Sequence, residues 1–416
     1  MRPNLWQTPV LAAICAALLA CPTGIDSGDD DAVPLDAGRS KVDAGANARD
    51  SGAVPRDAGT SMDAGGARDA GASKDAGGAD ASQGDTSPAA ARPCDLYASG
   101  GTPCIAAHST IRALYASYDG KLYQVRRKSD NTTKDINALS PGGFADAAAQ
   151  DTFCSGATCE ITIVYDQSGK GNHLEYQGQG SSVGGSKSPS KATDESLTVG
   201  GHQVYALYIT TQSTYWRDGH ATGVPTGKQP EGMYMVASGT HVNGGCCFDY
   251  GNSETTRKAD AAGAMDAIYF GTGCWFGECS GSGPWVQADL EWGLFPGGSK
   301  KWNPNQKAFP NKYVTAMLKN DGTTKFALKG GDAQSGGLTT VYDGALPSGY
   351  SPMVKQGAIV LGSGGDCCAP GSGPKDSIGT FYEGAMAAGY PSDATDSAIQ
   401  ENIIAAAYGG SGSGGH

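Results

Sequence analysis

The chain has 416 residues with 64 Gly, 21 Pro and 12 Cys, and only 17% are charged and 8% aromatic. That length admits two or three domains, but the Gly excess leaves too few large apolar residues to give each one a core. Thirty basic against 42 acidic residues give a formal charge of −12, which argues against a basic footprint for nucleic acid or an anionic lipid surface.

Residues 1–21 read as an export leader. Arg2 is the only charge, and the apolar run from Val10 to Ala20 is too short for a stable spanning helix. Leu18-Leu19-Ala20-Cys21 has the form of a bacterial lipobox, so Cys21 is expected to carry a lipid that tethers the exported protein to the outer membrane or cell surface; the alternative is a plain signal peptide and a secreted protein. Residues 22–92 hold 17 Ala, 13 Asp and 12 Gly and no aromatic residue, with Asp-Ala-Gly recurring at uneven spacing between Asp36 and Asp75. Such a segment cannot bury enough apolar area to offset its chain entropy and is expected to be a disordered spacer. It has no fixed period, which excludes a solenoid.

The globular head is expected over residues 93–410, followed by a flexible Gly/Ser tail at 411–416. Short strand-like runs occur at Glu160 to Tyr165, Val204 to Thr210, Met233 to Ser238, Ala267 to Phe270, Trp285 to Phe295, Tyr313 to Lys319, Lys325 to Lys329, Ala358 to Leu361 and Thr380 to Ala387. Gly, Pro, Asn, Asp and Ser clusters separate them, and Asn320-Asp321-Gly322 is a hairpin signal. Helical periodicity is present at Ser109 to Tyr118 and at Asp393 to Tyr408, where Asp393 can cap and Ile399, Ile403 and Ala407 share a face. Many short strands and few helices predict an all-β sandwich.

Ten cysteines remain after Cys15 in the leader and Cys21 are set aside, an even number that suits disulfides in an oxidising compartment. Cys94 with Cys104, and Cys154 with Cys159, close small loops. Cys246-Cys247 and Cys367-Cys368 either bond within each pair through a strained eight-membered ring or pair elsewhere, for example with Cys274 or Cys279. Six scattered His residues form no HxxxH or HExxH pattern, so His108 and His173 are expected to be structural, with no metal. No Walker-type or dinucleotide fingerprint occurs in a strand–helix context, and no cofactor is expected.

CDLYASGGTPC from Cys94, AAHSTIRALY from Ala106, DTFC with ITIVYDQSG from Asp151, EGMY from Glu231, CCFDYGNSET from Cys246, GPWVQADLE from Gly283 and GTFYEGAMAAGYPSD from Gly379 follow one another in order. Together they resemble the catalytic domain of α-L-arabinofuranosidase B, glycoside hydrolase family 54. The resemblance covers Cys94 to Tyr408. It implies a concanavalin or laminarinase-like jelly roll and a retaining, exo-acting α-L-arabinofuranosidase that releases arabinofuranose from arabinan or arabinoxylan.

Carried over by motif, Glu291 in Ala-Asp-Leu-Glu is the expected nucleophile and Asp366 in Gly-Gly-Asp the expected acid/base, the pair of carboxylates that retaining hydrolysis requires. Asp289, two positions before Glu291, is expected on the same side of one strand, binding sugar hydroxyls or orienting the nucleophile. The resemblance further implies a Cys246–Cys247 disulfide on the floor of the sugar site, with Trp275 nearby and Gly365 among the substrate-binding residues. Trp292 stands where the family tends to have Asn, which replaces a hydroxyl contact with an aromatic wall. The chain ends in GGSGSGGH without the family's C-terminal arabinose-binding module, so a weaker hold on polymers is expected, with the lipid tether supplying localisation. The expected partner is an arabinose-containing plant glycan met by a monomer. A non-catalytic glycan-binding surface protein on the same sandwich is the alternative from another class.

Overall fold

The computed structural model describes residues 90–177, 188–211, 213–274, 278–279, 281–363 and 377–410. The leader, Cys21, the spacer up to residue 89 and the tail lie outside them, as do Trp275, Gly365, Asp366, Cys367 and Cys368.

In chain order the elements are α1 (Pro93–Ser99), β1 (Cys104–Ser109), β2 (Lys121–Arg127), β3 (Thr133–Asn137), α2 (Ala147–Cys154), β4 (Cys159–Val164), β5 (Leu174–Tyr176), β6 (Ser196–Val199), β7 (His202–Tyr205), β8 (Leu207–Ile209) and β9 (Thr214–Asp218). They continue with β10 (Glu231–Ser238), β11 (Phe248–Ser253), β12 (Asp266–Gly271), β13 (Trp285–Asp289), β14 (Leu294–Phe295), β15 (Tyr313–Asn320), β16 (Lys325–Asp332), β17 (Thr339–Ala345), β18 (Ala358–Ser363), β19 (Gly379–Ala388) and α3 (Asp393–Ala405).

The strands build two antiparallel sheets that face each other. One runs β1-β19-β10-β15-β16-β17, with β8 also on β19; the other runs β14-β13-β12-β11-β18-β9-β5-β4-β2-β3. β6 and β7 form a separate hairpin. The two sheets share a single large apolar core, which makes the fold the expected β-sandwich.

Directly opposed residues share a face, so the register of the larger sheet sorts its side chains. Tyr215, Leu361, Tyr250, Ile268, Ala288 and Phe295 form one cross-strand row and all belong to the inter-sheet core. The neighbouring row, Trp216, Val360, Gly251, Ala267, Asp289 and Leu294, therefore lies on the outer face. Asp249, Tyr269 and Gln287 form a second outer row. These three are nevertheless buried, because loops cover this part of the sheet.

Ser109 to Tyr118 is not a helix. β1 ends at Ser109, and the following backbone donors find distant partners in place of i−4 carbonyls. Ser109 Oγ accepts from the N–H groups of Ile111 and Arg112, Gly143 O from Ala113, Gln167 Oε1 from Leu114 and Asp95 Oδ2 from Ala116. Arg112, fully buried, gives two hydrogen bonds to Glu383 at 2.7 and 2.8 Å, and the hydroxyls of Tyr234 and Tyr408 donate to the same carboxylate. This tertiary network overrides the local periodicity.

At the other predicted helix the N-cap is Ser392, whose Oγ accepts from Thr395 N, and Asp393 is the first helical residue. Asp393 and Asp396 instead bind Lys319 and Lys329 at 2.6–2.8 Å, which fixes α3 onto β15 and β16. The run at Val204 to Thr210 divides into β7 and β8, and that at Trp285 to Phe295 into β13 and β14. Disulfides join Cys94 to Cys104, Cys154 to Cys159, Cys246 to Cys247 and Cys274 to Cys279.

Candidate active site

The break between β13 and β14 builds the site. Asp289 pairs with Leu294, leaving Leu290 to Gly293 as a four-residue hairpin turn across which Leu290 N–H donates to Gly293 O at 3.3 Å. Its central residues, Glu291 and Trp292, both have left-handed backbones, with φ of 64° and 56°. Positive φ at both centres is the primed hairpin geometry that Asn-Gly satisfies most easily. A Glu and a Trp there cost on the order of 1 kcal/mol each.

Glu291 is thus not on the strand with Asp289. The chain reverses after Asp289, and Glu291 N–H donates to Asp289 Oδ1 at 3.2 Å. Trp292 N–H donates to Glu291 Oε1 at 3.3 Å. The Tyr350 hydroxyl donates to Glu291 O at 2.8 Å and so fixes the peptide linking Glu291 to Trp292. Burial, with Asp289 and Glu291 close by, pushes the Tyr350 phenol well above its usual range, so it stays a donor. Glu291 and Asp289 are both buried, whereas Trp292 is 52% exposed.

Cys246 and Cys247 pack with Tyr269 and Leu294 as a separate small apolar cluster. Their sulfurs lie within 4.8 Å of an Asp289 carboxylate oxygen and of each other. Three such ligand atoms could in principle hold a metal, but both sulfurs are committed to their mutual disulfide and present no thiolate. The surface they offer is a flat, apolar floor beside a carboxylate, suited to the C–H face of a small sugar.

Tyr269 organises the approach to this floor. Its hydroxyl donates to Gly245 O at 3.3 Å and accepts from Gly273 N–H at 2.9 Å, so it clips together the residues that precede Cys246 and Cys274. Gln287 Nε2 donates to Gly273 O, and Asn243 accepts from Gly245 N–H and Ile378 N–H. β18, the strand that leads toward Asp366, ends at Ser363 opposite Phe248, the residue after Cys247.

A second buried polar group lies close by, toward the inter-sheet side. Lys355 Nζ stands 2.9 Å from Glu231 Oε1 and 3.7 Å from Asp266 Oδ2, all three residues being fully buried. Asn252 donates to Glu231, Asn320 donates to Asp266, and Lys355 also donates to Gln229 O. Burial pushes the Glu231 carboxyl up to about 8; Lys355 opposes the shift and Asp266 adds to it. Two backbone hydrogen bonds, Gly263 N–H to Leu290 O and Val354 N–H to Gly263 O, connect this cluster to the Glu291 hairpin.

The structure therefore brings Glu291, Asp289, Cys246, Cys247 and Trp292 into one region. It places His108 elsewhere, inside the core, where Nε2 donates to Asn172 O and Nδ1 accepts from Tyr250 Oη. His173 accepts from Asp166 N–H at Nδ1. Sequence reading missed Tyr269, Leu294 and Tyr350. Tyr269 had a signal, since an aromatic alternating with core residues Ile268 and Phe270 must occupy the opposite face; Tyr350, inside a Pro/Ser/Gly turn, had none.

Comparison with known proteins finds relatives over most of the head. A family model described as "Alpha-L-arabinofuranosidase B, catalytic" matches residues 93–409. "Alpha-L-arabinofuranosidase B" of Emericella nidulans is 51% identical over 326 residues, covering 77% of this chain and 62% of the relative. "Arabinofuranosidase/B-xylosidase" of Trichoderma koningii is 50% identical over 325 residues, covering 77% and 63%. The chain thus spans less than two thirds of the length of these fungal relatives. A solved structure, "Crystal structure of arabinofuranosidase complexed with arabinofuranosyl-alpha-1,2-xylobiose", is similar with a TM-score of 0.72 and 47% identity, covering 76% of this chain and 65% of that one. A second, with the same TM-score and identity and covering 76% and 66%, is a Glu-to-Gln mutant of a glycoside hydrolase family 54 α-L-arabinofuranosidase soaked with 4-nitrophenyl α-L-arabinofuranoside. With a family match over three quarters of its length and half of its aligned residues identical to these relatives, the chain belongs to the family of α-L-arabinofuranosidase B catalytic domains.

Proposed function

We propose that the protein is a retaining, exo-acting α-L-arabinofuranosidase that removes terminal arabinofuranosyl residues from arabinan or arabinoxylan. The observation that carries this reading is Glu291, a buried carboxylate on a strained hairpin, set beside Asp289 and the Cys246–Cys247 disulfide. In this reading one terminal furanose enters, its apolar face on the disulfide and its hydroxyls toward Asp289.

The first step has the Glu291 carboxylate attack the anomeric carbon while the glycosidic C–O bond breaks and Asp366 gives its proton to the leaving oxygen. In the second, Asp366 takes a proton from water, the oxygen of that water bonds to the anomeric carbon, and Glu291 leaves as carboxylate. The hydrogen bonds from the N–H of Trp292 to the Glu291 carboxylate and from Tyr350 to its main chain hold the nucleophile in place. Trp275 and Gly365 complete the sugar-binding set in this reading.

The leader at residues 1–21 supports export, with the head working as a monomer at the end of the Asp/Ala/Gly spacer. The lipid on Cys21 rests on Leu18-Leu19-Ala20-Cys21 alone, since the relatives above are fungal. Hydrolysis of 4-nitrophenyl α-L-arabinofuranoside by the wild-type chain and by Glu291→Gln tests the assignment. Turnover by the wild type that vanishes in the folded variant supports it; substantial activity surviving in the variant refutes the nucleophile.

A further inference from the structure

We propose that Trp292 is the platform on which the first sugar ring of the leaving group stacks. This rests on the arabinofuranosidase reading and extends it to the other side of the scissile bond.

The buried part of the site is already furnished. Cys246, Cys247, Tyr269, Asp289, Glu291 and Leu294 are each at most 4% exposed, which marks them as floor and wall. Trp292 directly follows Glu291 in the chain yet is 52% exposed, so it stands at the solvent-facing edge of this buried set. In an exo-acting site the furanose fills the interior, and what emerges at the mouth is the glycan it is attached to.

The ring is also held in place. Indole Nε1 donates to Ala259 O at 3.3 Å, and the peptide preceding Trp292 is fixed by the Tyr350 hydroxyl. An indole tied at its polar edge presents its apolar face, the surface that stacks on the C–H face of a pyranose. Independently, Trp292 occupies a left-handed position where Gly or Asn would be cheaper. A large exposed aromatic held in a strained conformation beside a nucleophile contributes little to the core, so its ring has a use in the site.

The test compares two substrates that share the furanose and differ in the leaving group: an arabinofuranosyl-substituted xylobiose, with a pyranose ring, and methyl α-L-arabinofuranoside, with none. Trp292→Gly removes the ring at a backbone position that Gly tolerates, and Trp292→Phe keeps a ring. Trp292→Gly is expected to lower the ratio of kcat/KM on the xylobiose substrate to kcat/KM on the methyl glycoside about tenfold, with Trp292→Phe restoring most of that ratio. Equal losses on both substrates place the ring on the furanose and overturn the proposal, as does no loss on either. Wild type inactive on both substrates would instead bring down the arabinofuranosidase reading beneath it.

Discussion

The carboxyl of Glu231 gives the fold a pH dependence that can be isolated. The usual pKa of the group is 4.5, and burial beside Asp266 raises it to about 8 in the folded protein even though Lys355 opposes the shift. The folded state therefore holds a proton that the unfolded chain releases above pH 4.5. The resulting stabilisation is complete below pH 4.5 and is lost as pH rises toward 8. One extra bound proton corresponds to a slope of about 1.4 kcal/mol per pH unit, on the order of 4 to 5 kcal/mol across the window. Glu231→Gln imitates the protonated acid and abolishes this titration while leaving an oxygen to accept from Asn252. Urea unfolding of both proteins, followed by tryptophan fluorescence between pH 5 and 8.5, should show the wild-type stability falling relative to the variant as pH rises. Parallel curves would mean that Glu231 ionises alike in the folded and unfolded chains, and the reasoning would be wrong.

Three further outcomes are expected. Lys355→Met removes the cation buried between Glu231 and Asp266 and should cost about 3–5 kcal/mol in denaturant unfolding at neutral pH; a cost below about 1 kcal/mol would show that the cluster holds without the ammonium. Tyr350→Phe removes the donor to Glu291 O, so kcat on 4-nitrophenyl α-L-arabinofuranoside should fall at least about tenfold with KM changing much less; unchanged kcat would show that the hairpin holds its nucleophile without this hydroxyl. The Cys94–Cys104 and Cys154–Cys159 disulfides span separations of 10 and 5 residues. Paired Ala substitutions should cost about 3 and about 2 kcal/mol respectively if loop closure governs the effect, and thermal unfolding would reveal a reversed order.

The long strands were legible because each carries a continuous apolar run: β10, β15 and β19 lie in the sheet interior and are buried on both faces almost throughout. β11 was not legible. Its Asp249, Gly251 and Asn252 read as turn residues, yet they sit mid-sheet, facing the outer surface or the Lys355 cluster. α1 and α2, at 7 and 8 residues, are too short to display a period. Glu291 and Asp289 were identifiable from the Ala-Asp-Leu-Glu motif, but the hairpin that joins them was hidden, because Leu290 and Trp292 flank Glu291 with side chains that read as strand. Tertiary pairing of Asp289 with Leu294 sets that reversal, and no local propensity announces it.

The division of the larger sheet into a core face and an outer face separates two kinds of selection. Along β12, Ile268 and Phe270 belong to the inter-sheet core while Ala267 and Tyr269 line the outer rows, so adjacent codons answer to different demands. Substitutions at the outward positions can reshape what the pocket admits while the packing that holds the sheets together stays intact. If the proposed function holds, this arrangement makes the outer rows the natural place to redesign sugar preference, with the core positions between them left as a fixed scaffold.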